Sequence, residues 1–313
     1  MTDKSGNQGS VCSKFSKMRK KSIGVFLVLG LFWLTAFQDP QIRVQVEAVN
    51  ILATVMNKQG QLITDLKQDG FEIREDGVVQ KITNFSLQSD LPLRIALLID
   101  TSSSVRVKLD FEKQAIIKFV YSVMRPFDQA LLAEFDSRVS LVHDFTHRPA
   151  DIAKAIKNLR AGGGTALVDA LYTVARERTN EGNVRQIIVV VSDGRDRDSS
   201  RTLEETMEVI GRSGATIYAV GTNRFSADNY RKGEELLRDL VGQTGGQAFF
   251  PYSIERLDDT FENINDELRT QYNLTYIPSS SRMDGQFRKV EVRFLHDDKL
   301  TVRHRTGYFA PSQ

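Results

Sequence analysis

Oxygen-bearing side chains are concentrated in three short segments of the sequence. The first is Asp-Thr-Ser-Ser-Ser at residues 100–104, the second is Gly-Gly-Gly-Thr at residues 162–165, and the third is Ser-Asp-Gly at residues 192–194. Carboxylate and hydroxyl oxygens suit Mg²⁺, and also Mn²⁺ or Ca²⁺, whereas zinc sites use mostly histidine and cysteine. If folding brings the three segments together, they form a site for a hard divalent cation.

Each of these segments follows a predicted strand or precedes a predicted helix. Residues 93–99 and 186–191 are nearly all apolar, which is typical of strands buried on both faces of a parallel sheet. In doubly wound sheets, ligands bind beyond the carboxyl ends of the strands, where the first and fourth strands are neighbours. We therefore expect Asp100 and Asp193 to share one crevice. Glycine allows close backbone approach, so the second segment can bring Thr165 over that crevice.

Strand and helix patterns alternate along residues 91–271. The strand candidates are residues 93–99, 130–135, 186–191, 216–220 and 247–250, with residues 140–145 as an antiparallel edge strand. The helix candidates are residues 107–124, 150–159, 167–178, 203–212, 233–241 and 254–270. This alternation predicts an α/β fold with a doubly wound, mostly parallel six-stranded sheet and right-handed crossovers.

The segments on either side of the α/β region alternate with the period-two pattern of strands, over residues 42–87 and again over residues 272–308. A lone hairpin buries too little apolar surface to be stable, so we expect both flanks to pair into one small β-sandwich-like module. The α/β domain would then be inserted in that module. The predicted organisation is residues 1–38 as a basic targeting segment, 39–90 as the first part of the β module, 91–271 as the α/β domain, and 272–313 as the second part of the β module.

The N-terminus has the pattern of a secretory signal or a retained signal anchor. Residues 14–21 contain five lysines and arginines, and residues 23–37 form a nearly unbroken apolar run that ends before Asp39. Both alternatives remain open, because the run is shorter than the roughly 20 residues of a membrane helix. Either one predicts an extracytoplasmic domain, which is secreted, periplasmic or anchored by this segment. The lone cysteine, Cys12, precedes the run, so the folded part cannot contain a disulfide.

The three oxygen-bearing segments together resemble the metal-ion-dependent adhesion site of von Willebrand factor type A domains. Asp-x-Ser-x-Ser after the first strand, a Gly-Thr loop and a later Ser-Asp-Gly occur in the family's order. The five matching residues are Asp100, Ser102, Ser104, Thr165 and Asp193. The resemblance covers roughly residues 91–271. It implies that the two serines and the threonine contact the metal, and that the aspartates hold it directly or through water. The flanks, at residues 71–77 and 307–310, are similar to bacterial members of the superfamily found notably in acidobacteria.

This site predicts a protein-binding module that has no catalytic activity. Neutral hydroxyl ligands leave the charge of a Mg²⁺ ion largely uncompensated, so an acidic side chain of a partner protein can replace one water and complete the shell. The net charge of +2, with both signs interspersed, argues against nucleic acid as a partner. Two alternatives are an accessory subunit of an envelope complex and a metal-dependent hydrolase, since Mg²⁺ can activate water. The motifs themselves contain no histidine, lysine or glutamate as a general base.

Other chemistries fail at specific positions. An aspartyl-nucleophile phosphotransferase needs an aspartate where this chain has Ser102, and the serine-hydrolase pattern at residues 211–215 lacks its last glycine. Residues 196–207 begin like a calcium loop, but Arg201 and Met207 replace the required glycine and glutamate, which favours a solvated loop beside the crevice. A purely structural alternative is that Asp100 and the serines cap the following helix.

Overall fold

The computed structural model describes residues 48–88, 91–178, 184–222, 230–253, 255–280 and 282–312. The predicted targeting segment, residues 1–38, lies outside these ranges, as does the predicted strand around residues 42–46. Within the described ranges, no helix has both the length and the hydropathy needed to cross a membrane.

The described chain alternates between strands and helices over most of its length. In chain order the strands are β1 (Val49–Met56), β2 (Phe71–Glu75), β3 (Val78–Gln80), β4 (Ile82–Gln88), β5 (Leu93–Asp100), β6 (Gln129–Phe135), β7 (Val139–Thr146), β8 (Arg185–Ser192), β9 (Thr216–Gly221), β10 (Ala248–Phe249), β11 (Gln271–Tyr276), β12 (Phe287–Phe294), β13 (Thr301–His304) and β14 (Gly307–Phe309). The helices are α1 (Leu109–Val123), α2 (Pro149–Lys157), α3 (Leu167–Arg178), α4 (Leu203–Ser213), α5 (Tyr230–Gly242) and α6 (Arg256–Arg269).

A six-stranded sheet in the order β10-β9-β8-β5-β6-β7 forms the centre of the α/β domain. Neighbouring strands in this sheet pair in parallel, except for the edge strand β7, which is antiparallel to β6. Within this sheet the chain enters at β5, continues to β6 on one side of β5, and then crosses to β8 on the other side. The predicted fold class, a doubly wound and mostly parallel sheet with an antiparallel edge strand, is therefore confirmed.

Helices cover both faces of this sheet, which explains why the central strands are apolar without alternation. In β5, Ile95 and Leu97 pack into a core with α1, α2 and α6, while Ala96 and Leu98 pack into a second core with α3, α4 and α5. Helix α4 shows how local sequence sets helix ends. It begins with a capping box between Thr202 and Glu205, and Gly214 ends it in the left-handed conformation.

Two antiparallel four-stranded sheets form the flanking β module, with the orders β13-β1-β11-β4 and β14-β12-β2-β3. Each sheet combines strands from before and after the α/β domain, and the two share one core that includes Ile51, Ile73, Tyr272 and Val290. The β-sandwich-like module built from both flanks is thus confirmed. The hairpin turn between β2 and β3 has positive φ values at Asp76 (47°) and Gly77 (84°).

A buried carboxylate joins the flanking β module to the α/β domain. Glu267 of α6 accepts hydrogen bonds from Thr54 of β1 (3.2 Å) and Tyr218 of β9 (2.7 Å), and it pairs with Arg303 of β13. Because Glu267 is only 3% exposed, its charge is stabilised by these partners and not by water.

Replacing Glu267 tests this junction. We expect Glu267→Ala to lower the free energy of unfolding by about 3–5 kcal/mol, because it leaves Arg303 charged and partly buried without its carboxylate. Urea unfolding of the full chain measures the change. The control is Glu208→Ala, which removes an exposed pair with Arg212 and should cost about 0.5 kcal/mol or less. Equal losses in the two variants would contradict the assignment.

Candidate metal-binding site

The first and third oxygen-bearing segments leave the sheet side by side. Strands β5 and β8 are parallel neighbours with Ile99 opposite Val191, so Asp100 and Ser192 come next at the same end of the sheet. The hydroxyl of Ser192 donates a hydrogen bond of 2.6 Å to Asp100 Oδ2. Asp193 follows directly, and its charge is close enough to raise the pKa of Asp100. The two predicted aspartates therefore share one crevice.

The two predicted serines extend from the Asp100 side of this crevice. The backbone N–H of Ser102 donates to Asp100 Oδ1 at 2.9 Å, which turns the chain sharply after β5. The hydroxyl oxygens of Ser102 and Ser104 lie 2.9 Å apart. Ser102 is buried and Ser104 is exposed, so this pair of oxygens runs from the interior of the crevice to its surface.

The glycine-rich second segment is hydrogen-bonded to the first. Gly162 N donates to the carbonyl of Thr101 (2.7 Å), and Ser103 donates to the carbonyl of Gly163 from both its backbone N–H (3.2 Å) and its hydroxyl (2.9 Å). These three hydrogen bonds hold the loop before Thr165 against the end of β5. All three predicted segments are therefore brought together.

Thr165 is held in place by its backbone. Its N–H donates to Asp198 Oδ2 at 2.8 Å, and its carbonyl accepts from the N–H groups of Arg197 and Asp198. Within the described residues, the hydrogen bonds of Thr165 all use the backbone, which leaves the hydroxyl available for a ligand. Arg197 and Asp198, in the loop that the sequence predicted to be solvated, are exposed, and Asp198 also positions Thr165.

Two glycines are required by these close approaches. A Cβ at Gly164 would lie 1.7 Å from Asp198 Oδ2, and a Cβ at Gly194 would lie 2.3 Å from the backbone oxygen of Gly233 in α5. Gly194 also has a positive φ of 75°. Glycine is thus needed in both the second and the third segment, which is the structural reason for the sequence pattern Gly-Thr and Ser-Asp-Gly.

Burial gives the crevice an unusual electrostatic balance. Asp100 is fully buried, and this burial raises its pKa to about 6, with a further contribution from the charge of Asp193 and opposition from hydrogen bonds of Ser102 and Ser192. Asp193 is 4% exposed and is paired with Arg195, whose Nε lies 3.6 Å from Asp193 Oδ2. A cation at this point would stabilise both ionised carboxylates.

A buried charged pair, which the sequence did not predict, lies beside the crevice. Lys108 is 7% exposed and donates from Nζ to the carbonyl of Thr222 at 2.7 Å, while Glu112 is 1% exposed. Burial lowers the pKa of Lys108, and the charges of Glu112, Asp193 and Asp100 oppose that shift. Burial raises the pKa of Glu112 to about 7. A Lys and a Glu four residues apart usually form an exposed pair on a helix, so the sequence contained no signal that these two are buried.

The donor set fits a hard divalent cation. Within the described ranges, no three histidine, cysteine, aspartate or glutamate side chains cluster closely enough to hold a metal by themselves. A cation here would therefore depend on the hydroxyls of Ser102, Ser104 and Thr165 together with the carboxylates of Asp100 and Asp193. Such an all-oxygen set matches Mg²⁺, Mn²⁺ or Ca²⁺.

The comparison with protein families agrees with this fold. The model of the von Willebrand factor type A domain matches residues 95–267, which is more than half of the chain. The chain therefore belongs to the von Willebrand factor type A family. No curated protein matches the sequence.

Solved structures with the same fold come from distant proteins. Proximal thread matrix protein 1 from the mussel byssus, with zinc in its MIDAS motif, is 18% identical with a TM-score of 0.51, over 62% of this chain and 49% of that one. The vWF domain of the type V pili tip protein Mfa5 from Porphyromonas gingivalis is 13% identical with a TM-score of 0.49, over 57% and 95%. The PilB minor pilin from Streptococcus sanguinis is 15% identical with a TM-score of 0.47, over 59% of this chain and 63% of the pilin, less than two thirds of its length.

The buried Glu112 makes stability depend on pH. As pH rises from about 4 to about 8, the unfolded chain ionises Glu112 near its ordinary pKa, whereas the folded chain ionises it only near 7. Glu112 therefore holds more protons in the folded state than in the unfolded state over this interval, and its contribution to stability is lost as pH rises. We expect Glu112→Gln to remove about 1–3 kcal/mol of that loss.

Urea unfolding in EDTA at both pH values measures the effect. Glu208→Gln is the matched control, because Glu208 is exposed and its variant should keep the wild-type pH dependence. The assignment fails if Glu112→Gln keeps the same pH dependence as wild type.

Proposed function

We propose that this chain is a metal-dependent protein-binding module. Asp100, Ser102, Ser104, Thr165 and Asp193 hold Mg²⁺, and an acidic side chain of a partner protein completes the coordination shell. The observation that supports this most directly is the joining of three distant segments at one crevice, through the bond from Ser192 to Asp100 and the bonds from Ser103 to Gly163.

The chemistry of the crevice explains why a partner's carboxylate would bind. Mg²⁺ prefers six oxygen ligands and releases water reluctantly, so it keeps waters wherever the protein supplies too few oxygens. Three of the five ligands are neutral hydroxyls, which leave positive charge on the ion. Because Ser104 is at the exposed rim, an incoming carboxylate reaches the metal from solvent. Mn²⁺ and Ca²⁺ accept the same ligands, and the mussel protein with zinc at its motif shows that a relative of this fold holds a divalent metal.

We propose binding without catalysis for a geometric reason. Glu112 has a pKa near 7, which would suit a general base, but it is 1% exposed and cannot contact a substrate in the crevice. Lys108 is similarly buried, and its ammonium group donates to the carbonyl of Thr222. These groups support the loops around the metal and are not placed to attack a bound molecule. Hydrolase activity remains the less favoured alternative.

We place the domain outside the cytoplasm. The basic and apolar N-terminal pattern supports export, with the domain secreted, periplasmic or held at the membrane by that segment. A bacterial cell envelope is therefore the setting in which we expect the partner.

An accessory subunit of an envelope complex is the second candidate, and the flanking β module supports it. Val78 (56%), Val79 (54%) and Leu295 (59%) are exposed on this module. Exposed apolar side chains of this size can mark a surface for permanent assembly. In that case the partner would stay bound when the metal is removed.

Metal binding is tested by replacing one carboxylate with an amide of nearly the same shape. Asp193→Asn should weaken Mg²⁺ binding about tenfold or more, because the amide lacks the negative charge of one of the two carboxylates. Isothermal titration calorimetry of the full-length chain in detergent measures it, with Mn²⁺ and Ca²⁺ as further titrants. Asp110→Asn is the control, since the Asp110 side chain is 88% exposed in α1 and should leave affinity unchanged. Equal affinities for the two variants would exclude the proposed site.

Partner binding is tested by cross-linking the chain in native envelopes, first with Mg²⁺ and then with EDTA. We expect partners that are captured with Mg²⁺, lost in EDTA and lost in Thr165→Val, which removes one hydroxyl ligand but retains the backbone bond to Asp198. The control Thr173→Val lies in α3, where its hydroxyl bonds a helix carbonyl, and should keep capture unchanged. Partners that resist both EDTA and Thr165→Val would favour the accessory-subunit alternative.

A further inference from the structure

A cavity lies at the opposite end of the sheet from the metal crevice. It has a volume of about 360 Å³ and lies beside the C-terminus of α4, where Gly214 leads into β9 at the amino end of the central strands. Its walls include four arginines and no aspartate or glutamate among the described lining residues: Arg212, Arg282, Arg288 and Arg305. Such a wall favours a negatively charged ligand.

Two of these arginines are already paired. Arg212 donates two hydrogen bonds to Glu208, at 2.9 and 3.0 Å, and Arg288 donates to Asp284 at 2.7 Å. These pairs neutralise much of their charge and hold the guanidinium groups in place. The positive charge that a ligand could use therefore comes from the other two arginines, Arg282 and Arg305.

Arg305 has no carboxylate partner within the described part of the chain. Its Nη2 donates to the carbonyl of Asn50 at 2.9 Å, while its buried Nε has no hydrogen-bond partner. Burial lowers the pKa of Arg305, yet a guanidinium stays charged at neutral pH. Arg305 is partly buried, and a partly buried charge without a counter-ion is costly, so an incoming anion would reduce that cost.

The nearby carboxylate of Glu75 is committed elsewhere. It accepts hydrogen bonds from the hydroxyls of Tyr276 (2.7 Å) and Tyr308 (2.9 Å), and it forms no ion pair with Arg305. The guanidinium carbon of Arg305 lies 5.6 Å from the centroid of the Tyr308 ring. Glu75 therefore stabilises the tyrosines and leaves Arg305 facing the cavity.

The remaining wall is apolar. Phe309 and Met283 line the cavity, and the Phe309 ring is fixed between Arg212 (4.3 Å to its centroid) and Phe287 (5.3 Å between centroids). A second cavity of about 800 Å³ shares Phe309 and Arg305 and continues along α4 past Met207. A rigid aromatic surface next to a cation is suited to a ligand with an apolar body and an anionic end.

We propose that this cavity binds an organic anion, whose carboxylate or phosphate pairs with Arg305 and whose apolar body packs against Phe309 and Met283. Both head groups match the planar fork of donors of a guanidinium. The cavity is a second site, separate from the metal crevice, so the anion binds whether or not the metal does.

The test uses calorimetry on the full-length chain in detergent, with EDTA present. The probes are 3-phenylpropionate and phenyl phosphate, with 3-phenylpropan-1-ol as the uncharged analogue. We expect at least one anion to bind, and the alcohol to bind about tenfold more weakly or worse, because it cannot pair with the guanidinium. The tighter anion identifies the head group. If neither anion binds, or if the alcohol binds equally well, the proposal is wrong.

Variants locate the binding to Arg305. Arg305→Gln should weaken anion binding about tenfold or more, while Arg293→Gln, at an exposed arginine of β12, should not. Asn50→Asp is a second variant in case Arg305→Gln does not fold. It places a carboxylate beside Arg305 and can still accept the bond from Thr275, and it should weaken the anion similarly.

Asn84→Asp, at an exposed position of β4, is the control for the added charge and should leave anion affinity unchanged. The proposal is overturned if Asn50→Asp binds the anion as tightly as wild type. It also fails if Asn84→Asp weakens binding as much as Asn50→Asp. Because EDTA is present throughout, these outcomes are independent of whether the metal-dependent function is correct.

Discussion

Parallel pairing of β5 with β8 is the constraint on which the metal crevice depends. The two strands are separated by more than 80 residues of sequence, yet their register places Asp100 beside Ser192 and allows the 2.6 Å bond between them. Both strands are apolar on both faces because helices cover the sheet on either side. The hydrophobic cores thus force the two strands to pair. The pairing brings together Asp100 and Asp193, although their negative charges repel one another. The loops then add oxygens without moving the strands.

The crevice concentrates charge that the fold alone stabilises poorly. Asp100 is fully buried next to Asp193, and burial raises its pKa, while the buried Glu112 and Lys108 lie just beyond. Arg195 compensates the charge of Asp193 only weakly, because its Nε lies 3.6 Å from Asp193 Oδ2. A region with this balance is typical of a functional site, because selection for folding alone would replace such groups with apolar ones. A divalent cation is the simplest group that would satisfy the carboxylates and hydroxyls together.

The flanking β module has a different relation to the α/β domain. Its two sheets are each completed by strands from both ends of the chain, so neither flank can form its sheet without the other. Glu267, Thr54 and Tyr218 then join the module to α6 and β9 through buried hydrogen bonds. The cavity around Arg305 is formed where this module meets the end of α4. A single α/β domain would lack that cavity, which makes the module a source of binding surface as well as stability.

The sequence by itself determined the class of fold and the five oxygen-bearing residues that the structure gathers. Apolar runs reveal strands buried on both faces, and the residue types of Asp100, Thr165 and Asp193 suit a hard cation wherever they meet. Whether they hold one stays a prediction. Tertiary structure alone decided that Asp198 positions Thr165, that Lys108 and Glu112 are buried, and that Arg305 has no counter-ion among the residues that the structure describes. These features depend on contacts between residues far apart in the chain, and local sequence patterns do not show which charged side chains become buried.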